Sequence, residues 1–201
     1  MAKGSEFERE FCKEISLWWT EQDRDDIFWR SSNSGGRATV RAKVGRTTAG
    51  QYGDIAAIDF DGLPLLNLFT MELKRGYSKN TIQDLFDKKD SAAVQVWEKW
   101  YHQTTTSANS AGSRSWLMVV RRDRRDTIVF FPTEFYEYLK TKRCFQTDPH
   151  PMMRIQSEIR IEDSNETLDC DCVMFRWQRW KRGIKPSILR EIDLEINLQK
   201  L

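Results

Sequence analysis

The stretch that decides the fold is Asp54-Ile-Ala-Ala-Ile-Asp-Phe-Asp-Gly-Leu-Pro-Leu-Leu-Asn-Leu-Phe-Thr-Met-Glu-Leu-Lys74. Residues 54–60 and 65–74 are apolar and rich in strand-forming types, and Asp61-Gly62 between them is a turn signal. The stretch therefore predicts two adjacent antiparallel strands. In the corresponding register Asp54 lies directly across from Glu72, so that the two acids share one end of a sheet.

Lys74 belongs to the same end of the predicted strand pair. Successive side chains of a strand alternate between faces, so Glu72 and Lys74 point to one side and Leu73 to the other. Two carboxylates on neighbouring strands suit Mg²⁺, which prefers oxygen ligands and keeps several waters. A lysine beside them can orient a metal-bound water and offset charge that develops on a phosphate. The residues alone leave a second interpretation open, a set of solvated charges at strand ends.

The N-terminal segment predicts a helix. Apolar residues recur at spacings of three and four from Phe7 to Trp18, which is typical of a helix with one buried face. Ser5 and Glu8 have the spacing of a capping box, in which each side chain satisfies a free main-chain N–H group of the first turn. We therefore expect the helix to begin at Ser5 and to end near Thr20.

Three segments of the chain resemble known nuclease motifs. Gly53-Asp54, followed after a strand-length gap by Glu72-Leu73-Lys74, resembles the signature of the PD-(D/E)XK nuclease superfamily, with glycine in the place of the proline. Residues 3–10, Lys-Gly-Ser-Glu-Phe-Glu-Arg-Glu, are similar to the Lys-Gly-x-x-x-Glu-Arg-Glu opening of archaeal-type Holliday-junction resolvases. Residues 30–35, Arg-Ser-Ser-Asn-Ser-Gly, are similar to the Arg-Ser-x-x-Ser segment of the same resolvases.

The resemblance implies an α/β fold with a restriction-endonuclease-like core, in which helices flank a central mixed β-sheet. Alternation of predicted helices and strands along the chain agrees with a mixed sheet. We expect residues 1–140 to form the nuclease core. Residues 141–201 are expected to form a C-terminal β/α extension packed on the same domain.

The resemblance also implies a metal site and its ligands. Asp54, Glu72 and the main-chain carbonyl of Leu73 would ligate Mg²⁺, for which Mn²⁺ can substitute. Lys74 would position or activate the attacking water. Such a metal supplies both a nucleophile near neutral pH and charge stabilisation, so catalysis needs no histidine.

Two further catalytic candidates come from the resolvase-like motifs. The first glutamate of the Glu-Arg-Glu motif corresponds to Glu8, which the resemblance makes a catalytic carboxylate on the metal side; the capping role stands beside it as the alternative. The active-site serine of the Arg-Ser-x-x-Ser segment corresponds to Ser34 as the first choice and Ser31 as the second.

A basic segment separates the serines from Asp54. Its four cations, here called the basic loop, are Arg37, Arg41, Lys43 and Arg46. No acid occurs between residue 31 and Asp54, so the segment is suited to the phosphate backbone of DNA. A solvated, flexible loop is the alternative interpretation.

The rest of the chain predicts further elements. Periodicity indicates helices at residues 81–86, 91–103, 133–140 and 187–199, and strands at residues 115–121, 127–131, 153–162 and 170–177. The cation- and tryptophan-rich residues 176–182 suit either contacts with phosphates and bases or a strand end whose tryptophans anchor the core. Cys170 and Cys172 are too closely spaced for a usual structural zinc site, so we expect plain thiols.

Composition narrows the class of protein. The 201 residues include 32 basic and 30 acidic side chains, a net charge of +2, which excludes a uniformly basic coat for nucleic acid. The apolar runs of the chain are all far shorter than the ~20 residues of a membrane span. The four cysteines are scattered, which favours a reducing cytosol. The resemblance implies that this is the cytoplasm of a bacterial or phage-infected cell.

These observations predict a Mg²⁺-dependent DNA endonuclease. Branched DNA such as a Holliday junction is one candidate substrate, with roles in recombination or repair, and a homodimer would place two sites on two strands. A catalytically inactive nuclease-fold module that binds DNA, and a restriction-type enzyme that recognises a sequence, are the alternatives.

Overall fold

The computed structural model describes residues 3–31, 52–77, 79–89, 92–145 and 150–199. Its helices are α1 (Lys3–Trp19), α2 (Leu63–Leu68), α3 (Val96–Ala111), α4 (Thr133–Thr141), α5 (Trp177–Gly183) and α6 (Pro186–Leu198), with short 3-10 turns at Phe60–Gly62 and Ile82–Leu85. Its strands are β1 (Phe28–Arg30), β2 (Ile55–Ala57), β3 (Phe69–Arg75), β4 (Ser115–Arg121), β5 (Ile128–Pro132), β6 (Met153–Arg160) and β7 (Thr167–Arg176).

Five of the strands form one mixed sheet in the order β3-β4-β5-β7-β6. β3 and β4 are parallel, and the other neighbouring pairs are antiparallel. β1 and β2 form a separate antiparallel pair. Helices cover the large sheet on both faces, as in the predicted restriction-endonuclease-like fold.

Two apolar cores lie on the two faces of this sheet. The larger core lies between the sheet and α1, α2, α4, α5 and α6, and it includes the fully buried rings of Phe11, Trp177 and Trp180. The smaller core is covered by α3, which contributes Trp97 and Trp100. β3 is buried on both faces over most of its length because it lies between these two cores.

The stretch that was expected to form a hairpin folds differently. Residues 63–68 form the short helix α2, and β3 begins only at Phe69. Pro64 lies in the first turn of α2, where its missing N–H group costs nothing. Leu65 and Leu68 share the buried face of that turn. The predicted antiparallel register between Asp54 and Glu72 is therefore wrong, although both residues still lie beside β3.

The beginning of α1 also differs from the prediction. The helix begins at Lys3, two residues before Ser5, so Ser5 is not its N-terminal cap. The predicted apolar stripe is confirmed, since Phe7, Phe11 and Ile15 are buried against the sheet. The Glu8 carboxylate accepts a hydrogen bond from Arg30 Nε.

The remaining elements agree with the sequence in type and differ at their ends. α3 begins at Val96 and continues to Ala111, well past the predicted end near residue 103. Gly112 is its C-terminal cap. Residues 177–183 are the exception, because they form a helix where one interpretation placed a strand end. Trp177 and Trp180 are buried in the core, as that interpretation predicted. Cys170 and Cys172 are buried free thiols.

The C-terminal residues contribute directly to the main sheet. β7 is inserted between β5 and β6 and forms antiparallel pairs with both. α6 packs against α2 on the larger core. None of the helices in the described part of the chain is long and apolar enough to cross a membrane.

Candidate active site

Asp54 is held at the free edge of β3 by three hydrogen bonds. Its N–H donates to the Met71 carbonyl at 2.8 Å, and its carbonyl accepts from the N–H of Ser31 at 2.9 Å. Its side-chain Oδ2 accepts from the N–H of Leu73 at 2.7 Å. The carboxylate is therefore fixed beside the middle of the Glu72-Leu73-Lys74 triplet, on an edge that β4 does not use.

Gly53 allows the main chain before Asp54 to pass this close to β3. Its φ angle is +78°, in the region that side-chain-bearing residues rarely adopt. A Cβ atom at this position would lie 2.6 Å from the Met71 carbonyl oxygen. Proline cannot adopt this φ angle because its ring restricts φ to about −65°. The glycine in the place of the signature proline is thus a requirement of the local backbone.

Glu72 and Lys74 project from the same face of β3, as predicted, toward α3. Lys74 Nζ donates to Glu72 Oε2 at 3.0 Å and to Gln103 Oε1 at 2.9 Å. The second carboxylate oxygen of Glu72 accepts from Ser107 Oγ at 2.9 Å. Both charged side chains are at least nine-tenths buried. The pair is therefore held in one orientation by two polar residues of the helix above it.

The acidic groups of the site influence one another. Burial, followed by the negative charge of Glu72, raises the pKa of Asp54 from 3.8 to about 7, against the lowering effects of the Leu73 N–H group and Lys74. Glu8 contributes further to the rise. Glu72 and Glu8 therefore lie close enough to Asp54 to destabilise its negative charge. A cation bound among them would relieve that repulsion.

Glu8 lies at the edge of this cluster and bonds to Arg30 of β1. Arg30 Nε donates to Glu8 Oε2 at 2.6 Å, and both side chains are mostly buried. The nearby Cys12 thiol is no candidate nucleophile, because burial and the Glu8 carboxylate raise its pKa to about 12.

Of the two serine candidates, the structure describes only Ser31. It is buried, and its hydroxyl donates to the Gly53 carbonyl at 2.8 Å. It thus helps to hold the segment that carries Asp54. Ser34 and all four residues of the basic loop, Arg37, Arg41, Lys43 and Arg46, lie outside the described residues.

The donor set fits a hard divalent cation that keeps part of its water shell. Within the described residues, no three Asp, Glu, His or Cys side chains converge as a complete metal site. Asp54 and Glu72 supply two carboxylates. The Leu73 carbonyl lies on the same strand edge as its N–H group, the edge that faces Asp54. Two carboxylates and one carbonyl leave positions for water and phosphate, which is the pattern of Mg²⁺ sites.

A comparison with protein families agrees with this geometry. The family model described as "Phage putative PDDEXK endonuclease" matches residues 1–191. The chain belongs to this phage PDDEXK family. The match supports the predicted PD-(D/E)XK superfamily, a nuclease function and DNA as the substrate. Neither the curated proteins nor the solved structures contain a significant match. The likeness to archaeal-type Holliday-junction resolvases stays a prediction.

Sequence reasoning missed Gln103 and Ser107, which hold Glu72 and Lys74. The two residues are four apart, so on a helix they lie on one face, one turn from each other. This spacing indicates a shared helix face only if the helix continues beyond residue 103, where the predicted helix ended. Arg30 was quoted only as part of a motif, and its pairing with Glu8 had no local signature.

Proposed function

We propose that this member of the phage PDDEXK family is a Mg²⁺-dependent endonuclease that hydrolyses DNA phosphodiesters, with Mn²⁺ able to replace Mg²⁺. The observation that carries the proposal is the juxtaposition of Asp54 with the Glu72–Lys74 pair, in which the pKa of Asp54 is raised to about 7. Such a cluster is poorly stabilised by itself and well suited to a divalent cation.

Asp54, Glu72 and the Leu73 carbonyl would hold the metal. When bound, Mg²⁺ supplies a water of lowered pKa and neutralises charge on the phosphate. The ammonium group of Lys74, oriented by Glu72 and Gln103, would position the attacking water and stabilise the negative charge that develops on phosphorus-bound oxygens. Burial of this ammonium strengthens its interaction with the reacting group.

The outer part of the proposed site consists of Glu8, Ser34 and the basic loop. Glu8 would bind a second metal or a metal-bound water, and its pairing with Arg30 supports a fixed position near Asp54. Ser34 would contact the phosphate beside the scissile bond. The basic loop would bind the DNA backbone through its positive charge.

Branched DNA, including a Holliday junction, is the proposed natural substrate, and a homodimer would present two sites to two strands. The cytoplasm of a bacterial or phage-infected cell is the proposed location, with a role in recombination or repair. These finer proposals rest on the resolvase-like motifs around Glu8 and residues 30–35.

The test is a cleavage panel of branched, linear, nicked and single-stranded DNA with Mg²⁺, Mn²⁺ or EDTA. We expect metal-dependent cleavage by the wild-type protein and none by Glu72→Gln, which retains the hydrogen-bonding shape of the side chain and removes its charge. Cleavage by Glu72→Gln at the wild-type rate would show that the site is assigned wrongly. Binding of DNA by the wild-type protein without any cleavage would favour the inactive DNA-binding module instead.

A further inference from the structure

A cavity of about 410 Å³ opens on the face of the sheet that carries Glu72 and Lys74. This volume lies within the range of small-molecule pockets, roughly 300–1,000 Å³. Its walls include Trp97 and Trp100 of α3, and its floor consists of apolar side chains of the sheet. The cavity is thus an aromatic and apolar pocket outside the carboxylate cluster.

The strand register connects the floor of this pocket with the candidate active site. One row of directly paired residues across β3, β4, β5 and β7 consists of Lys74, Val120, Ile128 and Arg176. The adjacent row consists of Glu72, Met118, Phe130 and Met174. Paired side chains share a face, and neighbouring strands lie about 4.8 Å apart, so the floor extends from about 5 to about 15 Å from Lys74. The floor therefore begins beside Lys74, on the side where a nucleotide next to a phosphate bound at Lys74 would lie.

The rim of the pocket is cationic. Arg122, Arg125 and Arg176 line it together with Asp126, the one acid among the described lining residues, so the rim carries a net charge of +2. Arg176 contacts Asp126 at 3.8 Å across an exposed surface. Guanidinium groups around an apolar pocket match the phosphates of a nucleic-acid strand whose base lies inside.

Two exposed methionines complete the mouth of the pocket on the side of β6. Met152 and Met153 are 45% and 40% exposed. Thioether side chains are flexible and polarizable, so they adapt to different aromatic ligands. The mouth is therefore suited to any of the four bases and provides little discrimination among them.

We propose that this pocket binds the unpaired base of a nucleotide that flanks the scissile phosphate, while the rim arginines bind the adjacent phosphates. The proposal rests on the nuclease function proposed above and specifies its substrate class as DNA with unpaired nucleotides next to the cut. A base inside a duplex is stacked on its neighbours and cannot enter an apolar pocket without first leaving the stack. The pocket therefore favours a nucleotide that is already unpaired.

The test compares the equilibrium binding of three DNA molecules in EDTA and their cleavage with Mg²⁺. The three are a paired duplex, the same duplex with a short single-stranded bulge, and a bulged duplex whose unpaired nucleotides are abasic. We expect the bulged duplex to bind roughly 5- to 150-fold more tightly than the other two, the range for stacking of one base on aromatic side chains. The abasic molecule retains every phosphate, so it isolates the contribution of the base.

A protein variant tests the location. Met153→Trp places a large ring in the mouth of the pocket from an exposed position of β6, and it should remove the preference for the bulged duplex. Leu194→Trp is the matched control, because Leu194 is an exposed apolar residue of α6 on the other side of the molecule. It should leave the preference unchanged.

The outcomes separate the two proposals. If the protein cuts DNA with Mg²⁺ but binds bulged and abasic molecules equally, the pocket assignment is overturned and the nuclease function stands. Retention of the preference in Met153→Trp likewise overturns the assignment. If the protein cuts neither these three molecules nor the branched, linear, nicked and single-stranded panel with Mg²⁺, the nuclease proposal fails, and the pocket proposal fails with it.

Discussion

Asp54→Asn should stabilise the metal-free protein at neutral and alkaline pH. In the native state burial and Glu72 raise the pKa of Asp54 from 3.8 to about 7. A folded-state pKa above the unfolded value means that ionisation of this group destabilises the native state. The penalty begins as the pH rises through the unfolded value and is complete above pH 7. Asparagine removes the charge, and its side-chain oxygen can still accept the Leu73 N–H.

The gap between 3.8 and about 7 corresponds to roughly 4 kcal/mol at about 1.4 kcal/mol per pH unit. Asp54 retains some contact with solvent, so we expect a gain of about 2–4 kcal/mol at pH 8 and less than about 1 kcal/mol at pH 4. The gain should grow steadily between these limits. Mg²⁺ should then stabilise the wild-type protein at pH 8 and have little effect on Asp54→Asn, because only the wild-type protein retains the ligand charge.

Urea unfolding in EDTA at several pH values between 4 and 8 measures both proteins. Asp59→Asn is the matched control, because the Asp61 N–H and Arg24 lower the pKa of Asp59. The Asp59→Asn substitution should therefore destabilise the protein as the pH rises. An Asp54→Asn variant that is less stable than wild type at pH 8, or a difference that does not change with pH, would refute the reasoning.

Four further predictions test other parts of the site. Lys74→Ala should lower turnover by roughly 10²- to 10⁴-fold with little change in Mg²⁺ affinity. Lys89→Ala is its control, because Lys89 is an exposed lysine of Asp87-Lys88-Lys89, which has the same acid-x-Lys pattern as Glu72-Leu73-Lys74, and this variant should cut at the wild-type rate. A larger loss at Lys89 than at Lys74 would show that the catalytic lysine is assigned to the wrong triplet. The Glu8→Gln side chain can still accept a hydrogen bond from Arg30, so the Tm of this variant should stay near that of the wild type while activity falls at least ~100-fold. Glu6→Gln is the exposed control and should keep its activity. A fully active Glu8→Gln enzyme would show that Glu8 does not belong to the site. Neutralising all four residues of the basic loop should flatten the slope of log affinity against log salt concentration, by roughly 0.9 for each phosphate that the protein no longer neutralises. A loss of affinity that depends on the base sequence and leaves the slope unchanged would contradict backbone binding. Gly53→Ala should lower the free energy of unfolding by about 1–3 kcal/mol and reduce cleavage as well, and unchanged unfolding in urea would contradict the backbone argument.

Short-range pattern was sufficient to predict that Glu72 and Lys74 lie together, with Asp54 beside them. Glu72 and Lys74 share a face of β3 because strand geometry alone requires it, and the apolar residues around them indicate a strand. The position of Asp54 was right for an incorrect reason. Residues 63–68 could join a strand or form a helix, and their packing against α6, with Asn67 bonded to Asp193, favours the helix.

The partners of Glu72 could not be predicted in the same way. Gln103 and Ser107 matter only because α3 crosses above β3, and nothing in the residues of α3 specifies which strand it covers. Their contacts with Glu72 span 31 and 35 residues of chain. The pairing of Glu8 with Arg30 likewise joins two elements whose docking depends on the whole of the larger core.

The positive φ angle of Gly53 has a consequence for how such a site can change during evolution. A substitution that restored the signature proline would require φ to change sign, and the chain before Asp54 would have to take another path over Met71. The conformation of Gly53 and the placement of the Asp54 carboxylate are therefore coupled through the main chain. In this protein, residue 53 can change to proline only together with the segment that precedes it.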